Sequence, residues 1–373
     1  MAVTLADVAA RAGVSAATVS RVLNGNYPVA GATRAKVLRA VEELEYVVNG
    51  PASALAAASS DLVGVLVNDV ADPFFGIIAS AVQSEIAPGG TAGRKLAVVC
   101  NTDGSPEKEL TYLTLLQRQR AAAVVLTGGA VEDPEHAEAL ATRLRRLAAT
   151  GTQVVLCGRP PLATPTAPPQ AGETDADTPA DNGPRPLTVA FDNRGGARQL
   201  TEHLIALGHR RIGYVAGPPE RTTTRHRLEG HRAALERHGL LDGADHLTVH
   251  GRYDRSSGYD GALELLRRDP DLTAVLAAND TVALGVCAAL RDQGLRIPED
   301  VSVAGFDDLP FSADAAPALT TVRIPLHEAG ARAGRLALGK EAPPPGGVAT
   351  VRCDLMARAS TAPPRERGAR RDG

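Results

Sequence analysis

The chain has 373 residues, a net charge of −3, 44% hydrophobic residues and only 3% aromatic ones, with no tryptophan. That length accommodates two or three domains, and the near-balanced charge excludes a chain that coats nucleic acid along its whole length. No apolar run reaches the length of a membrane span, and the chain opens on a helix cap rather than a leader, so a cytoplasmic protein with no membrane association is expected.

The first elements are two short helices turning at Gly13. Thr4 is placed to cap the first, with Asp7 three residues on, and Ser15 to cap the second. Val8 and Ala9, then Val19, Val22 and Leu23, form inner faces, which leaves Ala16, Ala17, Ser20 and Arg21 outward. A helix showing small residues and one arginine suits a DNA major groove, where arginine pairs with a guanine edge. An ordinary helical hairpin with a solvated Arg21 is the alternative.

Residues 32–45 are expected to form a third helix, with Val37, Leu38, Val41 and Leu44 inward. Up to residue 41 there are five basic side chains (Arg11, Arg21, Arg34, Lys36, Arg39) against Asp7 alone, a local excess of +4 that predicts salt-sensitive phosphate contact. An Ala-rich connection, Tyr46 to Leu55, follows.

From residue 62, short apolar strands alternate with helices. Strands are expected at Leu62–Val67, Leu96–Cys100, Val124–Leu126 and Val154–Cys157, with helices near 75–86, 106–118 and 134–149 between them. Residues 159–186 carry eight prolines and the acids Glu173, Asp175, Asp177 and Asp181, and read as a mobile polyproline loop. Strands then recur at Leu187–Phe191, Arg211–Ala216, Leu247–His250, Thr273–Ala277 and Val301–Gly305, with helices near 195–207, 224–238, 256–268 and 281–293. The fold class expected is therefore α/β: a helix-turn-helix headpiece, then two lobes of doubly wound parallel sheet.

In such sheets ligands bind beyond the carboxyl ends of strands. Phe74, Phe191 and Phe306 fall there, as do Asp72, Arg159, Asp192, Arg227, Asn279 and Asp307. Carboxylates accept from hydroxyls, asparagine donates and accepts, and arginine offers a donor fork. Each polar group has a structural alternative: Asp307 as a turn cap, Asn279 as a strand-end turn residue, Arg227 as a solvated side chain. Cys100, Cys157, Cys287 and Cys353 show no paired spacing and read as buried thiols. Nucleophile-elbow, P-loop, HExxH and dinucleotide motifs are absent and the nine histidines are scattered, so no catalytic residue, metal or cofactor is expected and the protein is not read as an enzyme.

The segment Val3–Asn24, the third helix and the stretch ending in Leu55 resemble the headpiece and hinge of the lactose-repressor (LacI) family of bacterial transcription factors. The same family's periplasmic-binding-protein-like core is matched by Asp72-Pro73-Phe74-Phe75, Asp192-Asn193, Leu207-Gly208-His209-Arg210-Arg211-Ile212, Ala278-Asn279-Asp280, Gly305-Phe306-Asp307-Asp308 and Leu319-Thr320-Thr321-Val322. The resemblance implies a headpiece at 1–48, a hinge helix and linker at 49–60, an effector-binding and dimerisation core at 61–360 with 159–186 inserted, and a disordered tail at 361–373.

It further implies a homodimeric regulator, most simply a repressor, on a pseudo-palindromic operator in double-stranded DNA. The implied DNA contacts are Thr4, Ser15, Ala16, Ala17, Thr18, Ser20, Arg21, Asn24, Asn49, Ala52 and Leu55, with Leu55 wedged into the minor groove. The effector is a small molecule, by default a sugar; a purine or phosphorylated metabolite, or a sugar-binding protein without regulatory role, are the alternatives. The effector contacts expected are Asp72, Phe74, Arg159, Asp192, Arg227, Asn279, Phe306 and Asp307, with Arg227, Asn279 and Asp307 carried from the family. Several positions depart from its pattern: Val48, Pro51, Ser53, Ala30 and the short Ala16-Ala17 pair. Gly158 stands where an acid often precedes the arginine. The tail lacks heptad leucines, so a dimer rather than a coiled-coil tetramer is expected.

Overall fold

The computed structural model describes residues 3–24, 28–46, 60–86, 95–162 and 185–365, Asn24 by its backbone only. The headpiece comprises α1 (Leu5–Ala12), α2 (Ala16–Asn24) and α3 (Gly31–Glu43). Its start is a capping box: the Asp7 amide donates to Thr4 Oγ1 at 3.4 Å, and the Thr4 amide donates to Asp7 Oδ2 at 2.7 Å. Gly13 ends α1 at φ 67°, where its amide reaches the carbonyls of Ala9 and Ala10. Ser15 Oγ accepts from the Thr18 amide at 3.2 Å and so caps α2. Ala30 supplies no cap bond to α3.

Val8, Ala9, Val19, Val22, Val37 and Ala40 form the headpiece core. One expected core position is corrected. Leu38 is 46% exposed, because the inward stripe of α3 runs through Val37 and Ala40 and turns Leu38 outward.

The first lobe is a six-stranded, all-parallel sheet in the order β11-β5-β4-β3-β1-β2. Its strands are β1 (Leu62–Val67), β2 (Leu96–Asn101), β3 (Ala123–Thr127), β4 (Gln153–Cys157), β5 (Leu187–Phe191) and β11 (Val348–Val351). The connecting helices are α4 (Pro73–Ile86), α5 (Pro106–Arg118) and α6 (Pro134–Ala149). The second lobe is a parallel sheet in the order β7-β6-β8-β9, built from β6 (Ile212–Ala216), β7 (Thr248–His250), β8 (Ala274–Ala277) and β9 (Ser302–Ala304). It carries α7 (Asn193–Ala206), α8 (Thr222–Arg237), α9 (Arg255–Arg268) and α10 (Asp280–Asp292). A short α11 (Phe311–Asp314) follows β9.

The chain crosses between lobes three times. It leaves the first lobe after β5 and returns after β10 (Thr321–Arg323), so that α12 (Leu326–Ala337) packs on α4 and β11 joins the first sheet. It then crosses again into β12 (Asp354–Met356), which pairs antiparallel with β10. Asp308 ties the last two crossings, accepting from Arg323 Nε and Arg358 Nη2, each at 2.6 Å. One apolar core runs through the crossings, from Val63, Ile78 and Val155 to Tyr214, Phe306 and Val322.

Residues 361–365, expected to begin a disordered tail, are docked on the second lobe. Ala362 O accepts from Ser302 Oγ at 3.1 Å and meets His209 Nε2 at 2.9 Å, and Arg365 pairs with Asp300 at 2.6 Å. All four cysteines are buried and unbridged, and burial pushes the Cys157 thiol up to about 12.

Candidate functional site

A cavity of about 320 Å³ lies between the lobes. Every strand from β1 to β9 sends a residue to it from its carboxyl end: Asn68 after β1, Asp103 after β2, Gly128 after β3, Gly158 after β4, Phe191 closing β5, Pro218 after β6, Tyr253 after β7, Asn279 after β8 and Asp307 after β9.

Arg227, on α8, is the centre of the polar wall. It is 3% exposed, and its guanidinium lies 3.8 Å from the centroid of the Phe306 ring. Its Nε donates to Asn193 Oδ1 at 2.9 Å, Nη1 to the Ala278 carbonyl at 2.6 Å and Nη2 to Asp307 Oδ1 at 2.8 Å. Asp307 sits at φ 106°, its backbone tied to Val322. Burial pushes its carboxyl up to about 7 against the opposing pull of Arg227, and Asp280 pushes the same way. Asp280 itself is buried, accepting from Thr321 Oγ1, Ser312 Oγ and the Leu309 amide. Asn279 spends Oδ1 on the Val282 amide at 2.8 Å as the cap of α10, which leaves its amide nitrogen for the cavity.

The facing wall comes from the first lobe. Asp72 Oδ1 accepts from the Phe74 amide at 2.9 Å, and burial raises the Asp72 carboxyl above its ordinary range. Phe74 packs edge-on against Phe75 and Phe191, at 4.9 and 6.3 Å between centroids, giving an aromatic corner. Gly158 has φ 82°, and a Cβ there would stand 2.8 Å from Phe191 Cε2. The ring of Phe191 therefore occupies the direction an acid at 158 would take.

Of the expected effector residues, Asp72, Phe74, Arg227, Asn279 and Asp307 line the cavity together. Three do not. Phe306 lies beneath Arg227, 1% exposed. Asp192 caps α7, accepting from the Gly195 amide at 2.8 Å. Arg159 points into the first lobe as a buried fork on Glu109, with contacts of 2.7 and 2.9 Å. Glu109 lies fifty positions away in sequence, so burial of the pair overrides the strand-end placement of Arg159.

Sequence reasoning missed Arg221, Thr223 and Tyr253. All three line the cavity, and Arg221 and Tyr253 sit in strand-end segments that the same positional rule covers. Arg221 crosses the cleft to donate to the Gly104 carbonyl at 2.6 Å. Beside it the lobes latch together. The Thr222 amide donates to Ala130 O at 3.0 Å, the Glu132 amide to Glu220 O at 2.7 Å and the Ala130 amide to Thr222 Oγ1 at 3.0 Å. Arg225 pairs with Glu132 at 2.7 Å.

The second candidate surface is the outer face of α2. Ala16, Ala17 and Arg21 are exposed, Thr18 and Ser20 are half-buried, and Val19 and Val22 face the core. Thr4 and Ser15 serve as caps. The Asn24 side chain and the expected hinge contacts Asn49, Ala52 and Leu55 lie outside the described residues. Among the described residues, no helix is long and apolar enough to cross a membrane, and no group of three His, Cys, Asp or Glu side chains could hold a metal.

Residues 4–49 match the bacterial regulatory proteins of the lacI family, and residues 201–361 match a periplasmic binding protein-like domain. The chain is 35% identical over 335 residues to the HTH-type transcriptional regulator GalR of Escherichia coli, which covers 90% of this chain and 88% of GalR. Among solved structures it is similar to a complex of the transcriptional regulator CelR with cellobiose, with a TM-score of 0.63, 32% identity and coverage of 96% of this chain and 99% of that one. It is also similar to the lac repressor dimer bound to operator and the anti-inducer ONPF, with a TM-score of 0.73, 28% identity and coverage of 97% and 100%.

Proposed function

Because the chain belongs to the LacI family of bacterial regulatory proteins, we propose that this DNA-binding transcriptional regulator is a repressor. It works as a homodimer on a pseudo-palindromic operator and answers to a neutral sugar bound between its lobes. Residues 1–48 are the headpiece, 49–60 the hinge and 61–360 the core, with Asn49, Ala52 and the minor-groove wedge Leu55 acting in the hinge. Two-fold symmetry in the protein meets two-fold symmetry in the operator. The edge strand β2, with Leu96 63% and Val99 39% exposed, fits coverage by a second copy.

The state of the cavity arginines carries the sugar reading. Arg227 is tied to Asn193, Ala278 and Asp307; Arg221 reaches the Gly104 carbonyl; Arg252 pairs with Asp254 at 3.4 Å. Against them stand Asp69, Asp72, Asp103, Asp254 and Asp307. A phosphate would find Arg227 and Arg221 already engaged and only the largely exposed Arg252 open to it, among carboxylates, whereas sugar hydroxyls donate to carboxylates and present an apolar ring face to Phe74 and Phe191. The solved CelR complex holds a neutral disaccharide, which supports the same class. Arg227, Asn279, Asp307, Asp72 and Phe74 make the contacts, and Phe306 supports Arg227 from below.

The effector acts through its different affinity for two lobe arrangements, which biases the paired hinges. Fluorescence anisotropy on the protein's own upstream DNA, at two salt concentrations and with panels of neutral sugars, sugar phosphates and purines, tests this. Release of a palindromic operator by one neutral sugar is the expected result. Release by a sugar phosphate or purine alone would overturn the ligand class, and no preference over random DNA would overturn the repressor reading.

A further inference from the structure

Three neighbouring strands of the first sheet, β5, β4 and β3, reach the cavity as Phe191, Gly158 and Gly128, without a polar side chain among them. Phe74 and Phe75, in the first turn of α4, close the same corner. Neither glycine has room for a side chain. Gly128 stands at φ 77° and Gly158 at φ 82°, and a Cβ would lie 2.8 Å from Phe75 Cε1 at the first and 2.8 Å from Phe191 Cε2 at the second. Their amides are spent within the sheet, on the carbonyls of Cys157 and Val189 at 3.0 and 2.8 Å. The Thr127 carbonyl beside them accepts from Arg159 at 3.3 Å. Polar side chains resume only at the borders. Asn68 Nδ2 lies 3.2 Å from the Cβ position at Gly128, and Asn193 Oδ1 is held by Arg227.

The rest of the cavity is polar, with Asp72, Asp103, Arg227, Asn279 and Asp307 on its walls. A common hexose carries hydroxyls around its whole rim. A hydroxyl turned into the phenylalanine corner loses its water without gaining a partner. A methyl group there packs on the rings and leaves water favourably. We propose that the effector is a 6-deoxyhexose, whose methyl group sits in the corner of Phe74, Phe75 and Phe191 while its ring hydroxyls face the polar walls. The corner thus selects by what it cannot hydrogen-bond. The inference rests on the neutral-sugar reading above and narrows it to one class of neutral sugar.

Sugar pairs that differ by a single oxygen isolate this contact: D-galactose with D-fucose, L-galactose with L-fucose, L-mannose with L-rhamnose, and D-glucose with 6-deoxy-D-glucose. The pentose of the same ring configuration lacks the whole group. Calorimetry on the full-length protein measures each, for the wild type and for Phe74→Asn, which sets an amide beside the corner. In the pair that binds, the deoxy sugar is expected to bind about tenfold more tightly than its parent, the hydroxyl being the group left unpaired. The pentose should bind about fourfold more weakly than the deoxy sugar, for want of the methyl. In Phe74→Asn the preference over the parent should fall toward one. That ratio is taken within each protein, so a general loss of affinity cancels, and the wild-type ratio needs no variant at all.

Parent hexoses that bind as tightly as their deoxy partners would overturn the proposal, as would a pentose that equals the deoxy sugar, or a preference unchanged in Phe74→Asn. A response confined to neutral sugars without a methyl group would leave the neutral-sugar reading standing and overturn this inference alone. Binding of sugar phosphates or purines, with no neutral sugar bound, would overturn that reading and this inference with it.

Discussion

Arg227 Nη2 donates to Asp307 Oδ1 at 2.8 Å, both side chains being almost wholly buried, and this pair joins α8 to the segment after β9 at the floor of the cavity. Removing one partner leaves an uncompensated buried charge. Arg227→Met is therefore expected to cost ~3–5 kcal/mol of core stability in urea unfolding, with part of the loss regained in Arg227→Met/Asp307→Leu. Simple additivity of the two single losses would show that the pair is not coupled.

His231 titrates in the opposite sense from the cavity acids. It is 1% exposed, bonded through Nδ1 to Thr201 Oγ1 at 3.0 Å, and burial pulls it down to about 4 from 6.5. A histidine kept neutral in the folded state stabilises fully above its unfolded value and loses that contribution as pH falls toward its folded one. By pH 5 this amounts to about 2 kcal/mol. The stability difference between wild type and His231→Gln, read from urea midpoints at pH 7.5 and 5, should shift by that amount in favour of the variant. A constant difference would contradict it.

Asp307, pushed up to about 7, predicts proton release on effector binding. A sugar hydroxyl that donates to its carboxylate favours the charged form, so affinity should rise as pH increases through 7. Calorimetry at pH 6.5 in buffers of different ionisation heat measures the released proton directly. No release would remove Asp307 as an acceptor for the ligand.

Gly158→Asp places the acid frequent in the family at this position, but against two obstacles. The backbone stands at φ 82°, and the new Cβ would lie 2.8 Å from the Phe191 ring. A loss of ~1–3 kcal/mol from backbone strain alone is expected, with the collision relieved by Phe191→Ala in the same chain. Thermal unfolding of the single and double variants checks this, and an unchanged melting temperature for Gly158→Asp would refute it.

The latch across the cleft should be visible in hydrogen exchange. Thr222→Val deletes the hydroxyl that accepts from the Ala130 amide at 3.0 Å. Loss of ~1 kcal/mol should speed exchange of that amide about fivefold, while β3, one segment away, stays unchanged. Unaltered exchange at Ala130 would mean that the latch does not protect it.

Much of the architecture was legible in local patterns. The caps Thr4 and Ser15, the turn at Gly13 and the alternation of strands and helices each depend on a few neighbouring residues, so the sequence displays them. The strand-end rule found the cavity because nine strands deliver their carboxyl ends to it. What escaped depends on distant partners. Arg159 turns inward because Glu109 is there to meet it, Asp192 is spent on its own helix, and Arg221 binds carbonyls that no side-chain pattern marks. The return of α12 and β11 to the first lobe, and the docking of 361–365 on the second, are likewise contacts between segments far apart in the chain.

That return has a consequence during synthesis. β5 is complete at residue 191, yet its outer edge has no partner until β11 arrives at 348–351, roughly 160 residues later. At ~5–20 residues per second, the nascent first lobe spends on the order of ten seconds with an open strand edge and an uncovered apolar face on α4. The whole second lobe emerges in that interval. The regulator is thus most exposed to mispairing while its ribosome is still at work, and the short strand β11 is what ends the danger.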